Sequence, residues 1–380
     1  MHNMIKTAIK KIIKNTVSIR PQILFESFNG AQYSDNPRAI SEMIHEIYPE
    51  YKIVWHLNEN ANKELVPDYV SCISKGVEFY YALFSSFCYV SNCELHGLVY
   101  YKKKRQLYVQ TWHADRYFKK VLYDADPEWG KNTEMCDDRV TNIALAGSDF
   151  GIKTYRDAFR YTGEIINLGC PRNEKMLNMS NNAKNNLKKR LGINMEDKIF
   201  MYAPTFRDYQ MDSQNVFIDI EQTRNSIQNK FGGTWKAIVR GHVGKHLSGF
   251  KKDDDFIDVT AYPDMADLLA ICDFLITDYS SSVLDFYLTG KPIILASFDI
   301  DDYEKRCRGF NIDPRDTSFI CAFDQEELIK IISDLDVSRF KRDYRKLDEL
   351  FGTNETGTST KYICEYINNY YNKNFKSPNT

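Results

Sequence analysis

Cysteine pairs at metal-binding spacing are missing from this sequence. Its nine cysteines include no CxxC, and Cys88 and Cys93 stand closest together. They therefore read as small core residues of a reduced, cytosolic compartment. Long hydrophobic runs are missing too, so no segment reads as a bilayer-spanning helix. A secretory signal is not expected, because lysines interrupt the first apolar residues every few positions. Excess charge of one sign is also lacking. Fifty Lys and Arg against 52 Asp and Glu leave a formal net charge of -2, which gives no global attraction to nucleic acid. Low-complexity segments and solenoid repeats are absent. What is present is ordinary folded composition, 43% hydrophobic and 27% charged. A chain of 380 residues suggests two domains, with room for two cores.

The first residues carry their own pattern. In MIKTAIKKIIKNTVSIR, Ile5, Ala8, Ile9, Ile12 and Ile13 recur at helical spacing, with Lys6, Lys10, Lys11 and Lys14 opposite. A basic amphipathic helix of this kind suits an anionic membrane surface. Packing of the isoleucines on the protein core explains the same pattern equally well.

Beyond it, strand-like and helix-like segments alternate. Pro21–Glu26, Tyr51–Leu57, Phe87–Ser91, Leu107–Thr111, Ile143–Ala146 and Glu164–Leu168 read as strands. The series breaks near residues 175–195, at a polar helix around Asn181–Leu191 closed by Gly192. It then restarts with Ile199–Tyr202, Trp235–Val239, Phe256–Asp258, Phe274–Ile276 and Ile293–Ala296. Repeated β-α alternation argues for parallel sheets covered by helices, here two in tandem. The expected layout is a terminal helix (1–20), two Rossmann-like domains (21–178 and 179–345) and a C-terminal helical segment (346–380) packing back across them.

Phe274–Asp299 is the most informative stretch. A buried strand breaks at Thr277-Asp278, and Ser280, Ser281 and Ser282 precede a helix through Val283, Phe286 and Tyr287. A helix start exposes N–H groups and the positive end of a dipole, so it can hold a phosphate. Simple capping of the helix is the plainer explanation. Ligands in doubly wound sheets bind outside the carboxyl ends of strands, and three more polar clusters occupy that position. They are Trp112-His113-Ala114-Asp115-Arg116 after Leu107–Thr111, Ala203 to Asp208 after Ile199–Tyr202, and Arg240-Gly241-His242 after Trp235–Val239.

QTWHAD with Lys119-Lys120 downstream, LGCPRNE (168–174), YAPTFRD (202–208) and ITDYSSSVLDF (276–286) stand in one order along the chain. Together they resemble the CDP-glycerol glycerophosphotransferase family of teichoic-acid and capsule synthesis. FESFNGAQYSDNPRAI (25–40) and DIDDYEKRCRGF (299–310) are similar to that family's first and last blocks, so the likeness covers nearly the whole chain. It implies an α/β, GT-B-like fold: two Rossmann-type, doubly wound domains facing a central cleft. It also implies transfer of a polyol phosphate from a CDP-linked donor to a hydroxyl of a lipid-linked glycan or polyol-phosphate acceptor, releasing CMP. The enzyme would work peripherally on the inner face of the bacterial cell membrane.

Roles follow from that resemblance. His113 is the first choice of general base, since imidazole titrates near neutrality. His242 is a second catalytic candidate, favoured over His246 by Arg240 two residues earlier. Arg207, Arg240 and Ser280–Ser282 are candidates for stabilising charge on the pyrophosphate. Thr277, Asp278 and Asp285 are further donor candidates, Asp278 alternatively fixing the loop and Asp285 making structural contacts. Asp115 and Lys119 are acceptor candidates; Lys119 and Lys120 follow His113 by about two helical turns and face either acceptor phosphate or solvent, with solvent slightly favoured because lysine is usually exposed. The chain departs from the family pattern at Ala114, where glycine is usual, at Asp115-Arg116 and at Glu174. Cys170 reads as a turn residue. Asp253–Asp255 and Asp299–Asp302 have no histidine at ligand spacing. No obligatory metal and no tightly bound cofactor is expected beyond the CDP-glycerol donor, which a divalent ion could accompany. CDP-ribitol transfer, nucleotide-sugar glycosyl transfer and a non-catalytic scaffold are the alternatives.

Overall fold

The computed structural model describes residues 2–93, 102–132, 138–205, 207, 217–241 and 255–376. The chain divides into two compact units. One comprises Met1–Asp115, Leu122–Lys175 and Asn354–Thr380, the other Arg116–Val121 and Met176–Thr353.

The first unit is built on seven parallel strands: β1 (Arg20–Glu26), β2 (Lys52–His56), β3 (Ser71–Ile73), β4 (Ser86–Ser91), β5 (Leu107–Gln110), β6 (Ile143–Ala146) and β7 (Glu164–Asn167). Their order is β3-β2-β1-β4-β5-β6-β7, so the chain builds outward from β1 and then returns to build outward from β4. Strands buried on both faces read as continuous apolar runs, and Ile23, Leu24 and Phe25 of β1 are fully buried. The period of two distributes them. Ile23, Phe25, Trp55, Val90 and Val109 join one core cluster, whereas Leu24, Val54, Tyr89 and Tyr108 join another. β3 is a three-residue edge strand, too short to register as an apolar run.

The C-terminal helix, Ser359–Phe375, returns to this first unit. Ile363, Cys364 and Ile367 enter the Trp55 cluster, and Asn368 Oδ1 accepts from Tyr51 at 2.8 Å. The C-terminal segment was expected to pack back across the domains; its last helix adds an apolar stripe to the first core, while the helix Phe340–Phe351 belongs to the second unit. The terminal helix, His2–Thr16, lies against the helix Val77–Ser85. Ile13 packs on the second core cluster, while Ile9 and Ile12 are exposed, Ile12 at 61%.

The second unit carries six parallel strands: β8 (Lys198–Ala203), β9 (Trp235–Val239), β10 (Ile257–Asp258), β11 (Phe274–Thr277), β12 (Ile293–Ala296) and β13 (Cys321–Ala322). The order β10-β9-β8-β11-β12-β13 repeats the same logic, outward from β8 and then outward from β11. Each sheet thus has one switch point, at β1/β4 and at β8/β11, where loops diverge and leave a crevice. The expected strands are all present; the additions are the short edges β3 and β13.

Candidate active site

At the first switch point the loops after β1, β4 and β5 meet. Asn92, just past β4, joins all three: its Oδ1 accepts from Phe28 N–H at 2.8 Å, and its carbonyl faces His113 Nδ1 at 2.9 Å. A carbonyl only accepts, so Nδ1 carries the proton and Nε2 is the basic nitrogen of the neutral ring. The imidazole lies between aromatic neighbours, with ring centroids 3.9 Å from Trp112 and 5.2 Å from Phe28. Trp112 is left-handed, with φ 48°. Such a residue costs about 1–2 kcal/mol and holds only where neighbours fix it. Here Gln110 Oε1 accepts from Trp112 N–H at 2.9 Å, and Asn36 Nδ2 donates to the Thr111 and Trp112 carbonyls at 3.2 and 3.0 Å. Burial pushes the Cys93 thiol, 4.0 Å from His113 Nδ1, up to about 12, so it stays protonated beside the ring.

Asp115 reaches the turn after β6. It is buried, and its Oδ1 accepts from Gly147 N–H at 2.8 Å. A Cβ on Gly151, in the first turn of the helix Asp149–Asp157, would come within 2.0 Å of that oxygen. The carboxylate is packed into the β6 turn, which is where an anion suits a helix N-terminus.

The second switch point is charged. Arg207 presents Nε and Nη2 to Asp299 in a bidentate pair, both at 2.7 Å, and Nη1 to Asp278 at 2.9 Å. Nη1 also donates to the Thr205 carbonyl at 2.5 Å. Asp278 further accepts from the N–H groups of Thr205 and Tyr279, and the Tyr279 hydroxyl donates to Asp299 at 2.9 Å. Burial alone would depress the Arg207 guanidinium, but Asp278 and Asp299 more than offset it and hold it firmly protonated. Asp278 thus ties the loop after β8 to the loop after β11. Thr277, expected at the donor, is fully buried and gives its hydroxyl to the Ala203 carbonyl at 2.7 Å.

The serine loop differs from expectation in one respect. The helix after it is only Val283–Phe286, continued by a 3-10 turn, too short to gather a useful dipole. The N–H groups of Val283, Leu284 and Asp285 are taken by the carbonyls of Ser280, Ser281 and Ser282. What the loop offers is hydroxyls: Ser280 and Ser281 are half-buried, and Ser280 Oγ lies 2.9 Å from Ser282 Oγ. Asp285 is half-buried in that short helix.

Lys119 sits in unexpected company. Residues 116–121 belong to the second unit and are not helical; Lys119 bridges Phe310 in antiparallel fashion, and Lys120 N–H donates to Gly309 O at 3.1 Å. Its ammonium feels Arg308, Asp278 and Arg207. Burial, followed by Arg308, lowers its pKa to about 8, with Arg207 adding and Asp278 opposing. Arg240, just past β9, is buried; among the described residues its Nη1 has no hydrogen-bond partner, and burial pulls its pKa down to about 10 against Asp264, Tyr262 and Asp267. His242 lies outside the described residues, as do Asp253 and Asp254.

The family model described as CDP-Glycerol:Poly(glycerophosphate) glycerophosphotransferase matches residues 11–369. The chain belongs to this family. The teichoic acid glycerol-phosphate transferase of Staphylococcus aureus is 28% identical, over 96% of this chain and 100% of its own length. Teichoic acid poly(glycerol phosphate) polymerases of Staphylococcus epidermidis and Bacillus subtilis are each 30% identical over 77% of this chain. The chain spans less than half of either polymerase, 42% and 41%. Among solved structures, the wall teichoic acid polymerase TagF, as a histidine variant with CDPG, superposes with a TM-score of 0.79 at 26% identity, covering 97% of this chain and 94% of that one. The fold is GT-B-like.

In this member of the family, sequence reasoning missed Asp299, Tyr279 and Arg308 as members of the charged cluster. Their signal was available, since Asp299 closely follows β12 and Tyr279 follows β11. Among the described residues no group of three or more His, Cys, Asp or Glu is placed to hold a metal ion. Asp301, one of the expected carboxylates, pairs with Arg315 at 2.8 Å.

Proposed function

We propose that this chain transfers glycerol phosphate from CDP-glycerol to a hydroxyl of a lipid-linked teichoic-acid acceptor. The acceptor oxygen bonds to the glycerol-bearing phosphorus, the bond to the bridging oxygen breaks, and CMP leaves with that electron pair. The hydroxyl proton passes to His113 Nε2. The observation that carries this reading is the Nδ1 contact with Asn92 O, which leaves Nε2 as the basic nitrogen. Charge on the departing CMP is met by Lys119, Arg240 and the Ser280–Ser281 hydroxyls, with His242 a further candidate. Arg207 and Asp278 serve by fixing the loops that carry those groups. Glycerol is favoured as the polyol because the glycerol-phosphate relatives match at 28–30% identity, against 23–27% for the ribitol-phosphate ones.

The test supplies radiolabelled CDP-glycerol, CDP-ribitol or UDP-sugars together with lipid acceptor. CMP release from CDP-glycerol is expected; release from CDP-ribitol alone would overturn the polyol, and no turnover of any donor would overturn the activity. The exposed Ile9 and Ile12, beside Lys10, Lys11 and Lys14, support docking on an anionic membrane surface. No described helix is long and apolar enough to cross a membrane. Ile12→Ser should weaken flotation with anionic liposomes while leaving thermal stability unchanged. Undiminished flotation would remove that role.

A further inference from the structure

β1 and β2 end in Glu26 and His56, and β4 carries Tyr89 between them and the loops above. All three are buried, Glu26 at 0% and His56 at 1% exposure. The proposed chemistry uses none of them. His56 Nδ1 donates to Glu26 Oε1 at 2.8 Å, and the Tyr89 hydroxyl donates to Oε2. Among the described residues His56 Nε2 has no hydrogen-bond partner, and its ring lies 4.8 Å from that of Phe79. A buried polar trio with an orphaned nitrogen is no more stable than an apolar one of the same shape. Stability alone therefore does not account for it.

What rests on the His56 ring is a strained turn. A Cβ on Gly30 would come within 2.8 Å of His56 Cε1. Phe28, Asn29 and Gly30 are all left-handed, with φ of 48°, 55° and 80°. Non-glycine residues stay in that region only where their surroundings hold them. Asn58, just past His56, supplies two ties, from its N–H to Gly30 O at 2.7 Å and from its Nδ2 to Asn29 O at 3.0 Å. The same turn presents the Phe28 ring to His113 and the Phe28 N–H to Asn92, whose carbonyl orients the imidazole.

We infer that Glu26, His56 and Tyr89 form a positioning network that fixes the Phe28–Gly30 turn and, through Phe28 and Asn92, the His113 ring. This rests on the reading of His113 as general base. The network touches no substrate; it sets the direction of Nε2.

The test measures kcat and donor KM for His56→Leu and His56→Asn, each with and without His113→Ala. His56→Leu should lower kcat on the order of 10- to 100-fold, as expected for a misplaced base, with donor KM within about twofold. His56→Asn keeps an N–H near the Nδ1 position and should recover most of that loss. In the His113→Ala background, His56→Leu should cost nothing more, since residues acting as a unit are not additive. An unchanged kcat, or an equal loss in both backgrounds, overturns the positioning role and leaves the base assignment standing. Normal turnover of His113→Ala alone overturns the base assignment instead. Should His56→Leu fold poorly, Gly30→Ala presses on the same ring from the turn and is read by the same criteria.

Discussion

The two switch points have the same topology and opposite electrostatics. At β1/β4 the loops are tied by an asparagine, backbone amides and an imidazole. At β8/β11 they are tied by an arginine between the buried Asp278 and the half-buried Asp299. Neutral ties leave a nitrogen whose proton can come and go. Ion-pair ties instead hold a backbone rigid around fixed charge, and their geometry fails if one partner is lost. In the proposed function, one kind of crevice serves proton transfer in one unit and a preorganised anion site in the other.

The sharpest way to break this comparison is at His113. Replacing it by alanine should lower turnover by roughly 10²–10⁴-fold, the usual contribution of a positioned base, with donor affinity largely kept. Stopped assays of CMP release and equilibrium binding of CDP-glycerol check it; normal turnover would show that the neutral crevice is not where the proton moves.

Next comes Arg207→Met, whose main effect should fall on stability. It removes the guanidinium that pairs with Asp278 and Asp299, and breaking a buried ion pair costs about 3–5 kcal/mol. Denaturant unfolding measures it, and a loss under about 1 kcal/mol, the range of an exposed pair, would mean that the ion pairs do not hold this crevice together.

The smallest expected effect concerns Lys119. A lysine lowered to about 8 loses its proton as pH rises through that value, and an anion binds the ammonium form. Affinity for CDP should therefore hold below pH 8 and weaken above it, by at most about tenfold per pH unit. Lys119→Arg should flatten the profile. Calorimetric titration from pH 7 to 9.5 reads both, and an equally steep fall in the arginine variant would assign the titration to another group.

How much of this was legible beforehand differs between the units. Apolar runs such as Phe274–Ile276 announce buried strands, and polar residues directly after them announce the crevices, because both signals are local. Asp278 was visible as a loop residue, yet its partners Thr205 and Arg207 lie about seventy positions away. Lys119 was read from His113 by helical spacing. The chain is not helical there, and the pairing with Phe310 decides where the ammonium goes. The serine loop was read through a helix dipole, while a four-residue helix gathers little of one and the loop presents the Ser280 and Ser281 hydroxyls.

By itself, then, the amino-acid sequence determined two parallel α/β sheets, the order of their strands along the chain, the polar clusters at the strand ends and the family to which those clusters point. These depend on hydrophobic period and on neighbours a few residues apart. Only the tertiary structure decided that Arg207 is committed to Asp299, that Lys119 keeps the company of Arg308, that Asp115 serves a turn and that Gly30 rests on His56. Pairing, burial and protonation depend on groups brought together from distant positions in the chain, and no local pattern encodes which of them will meet.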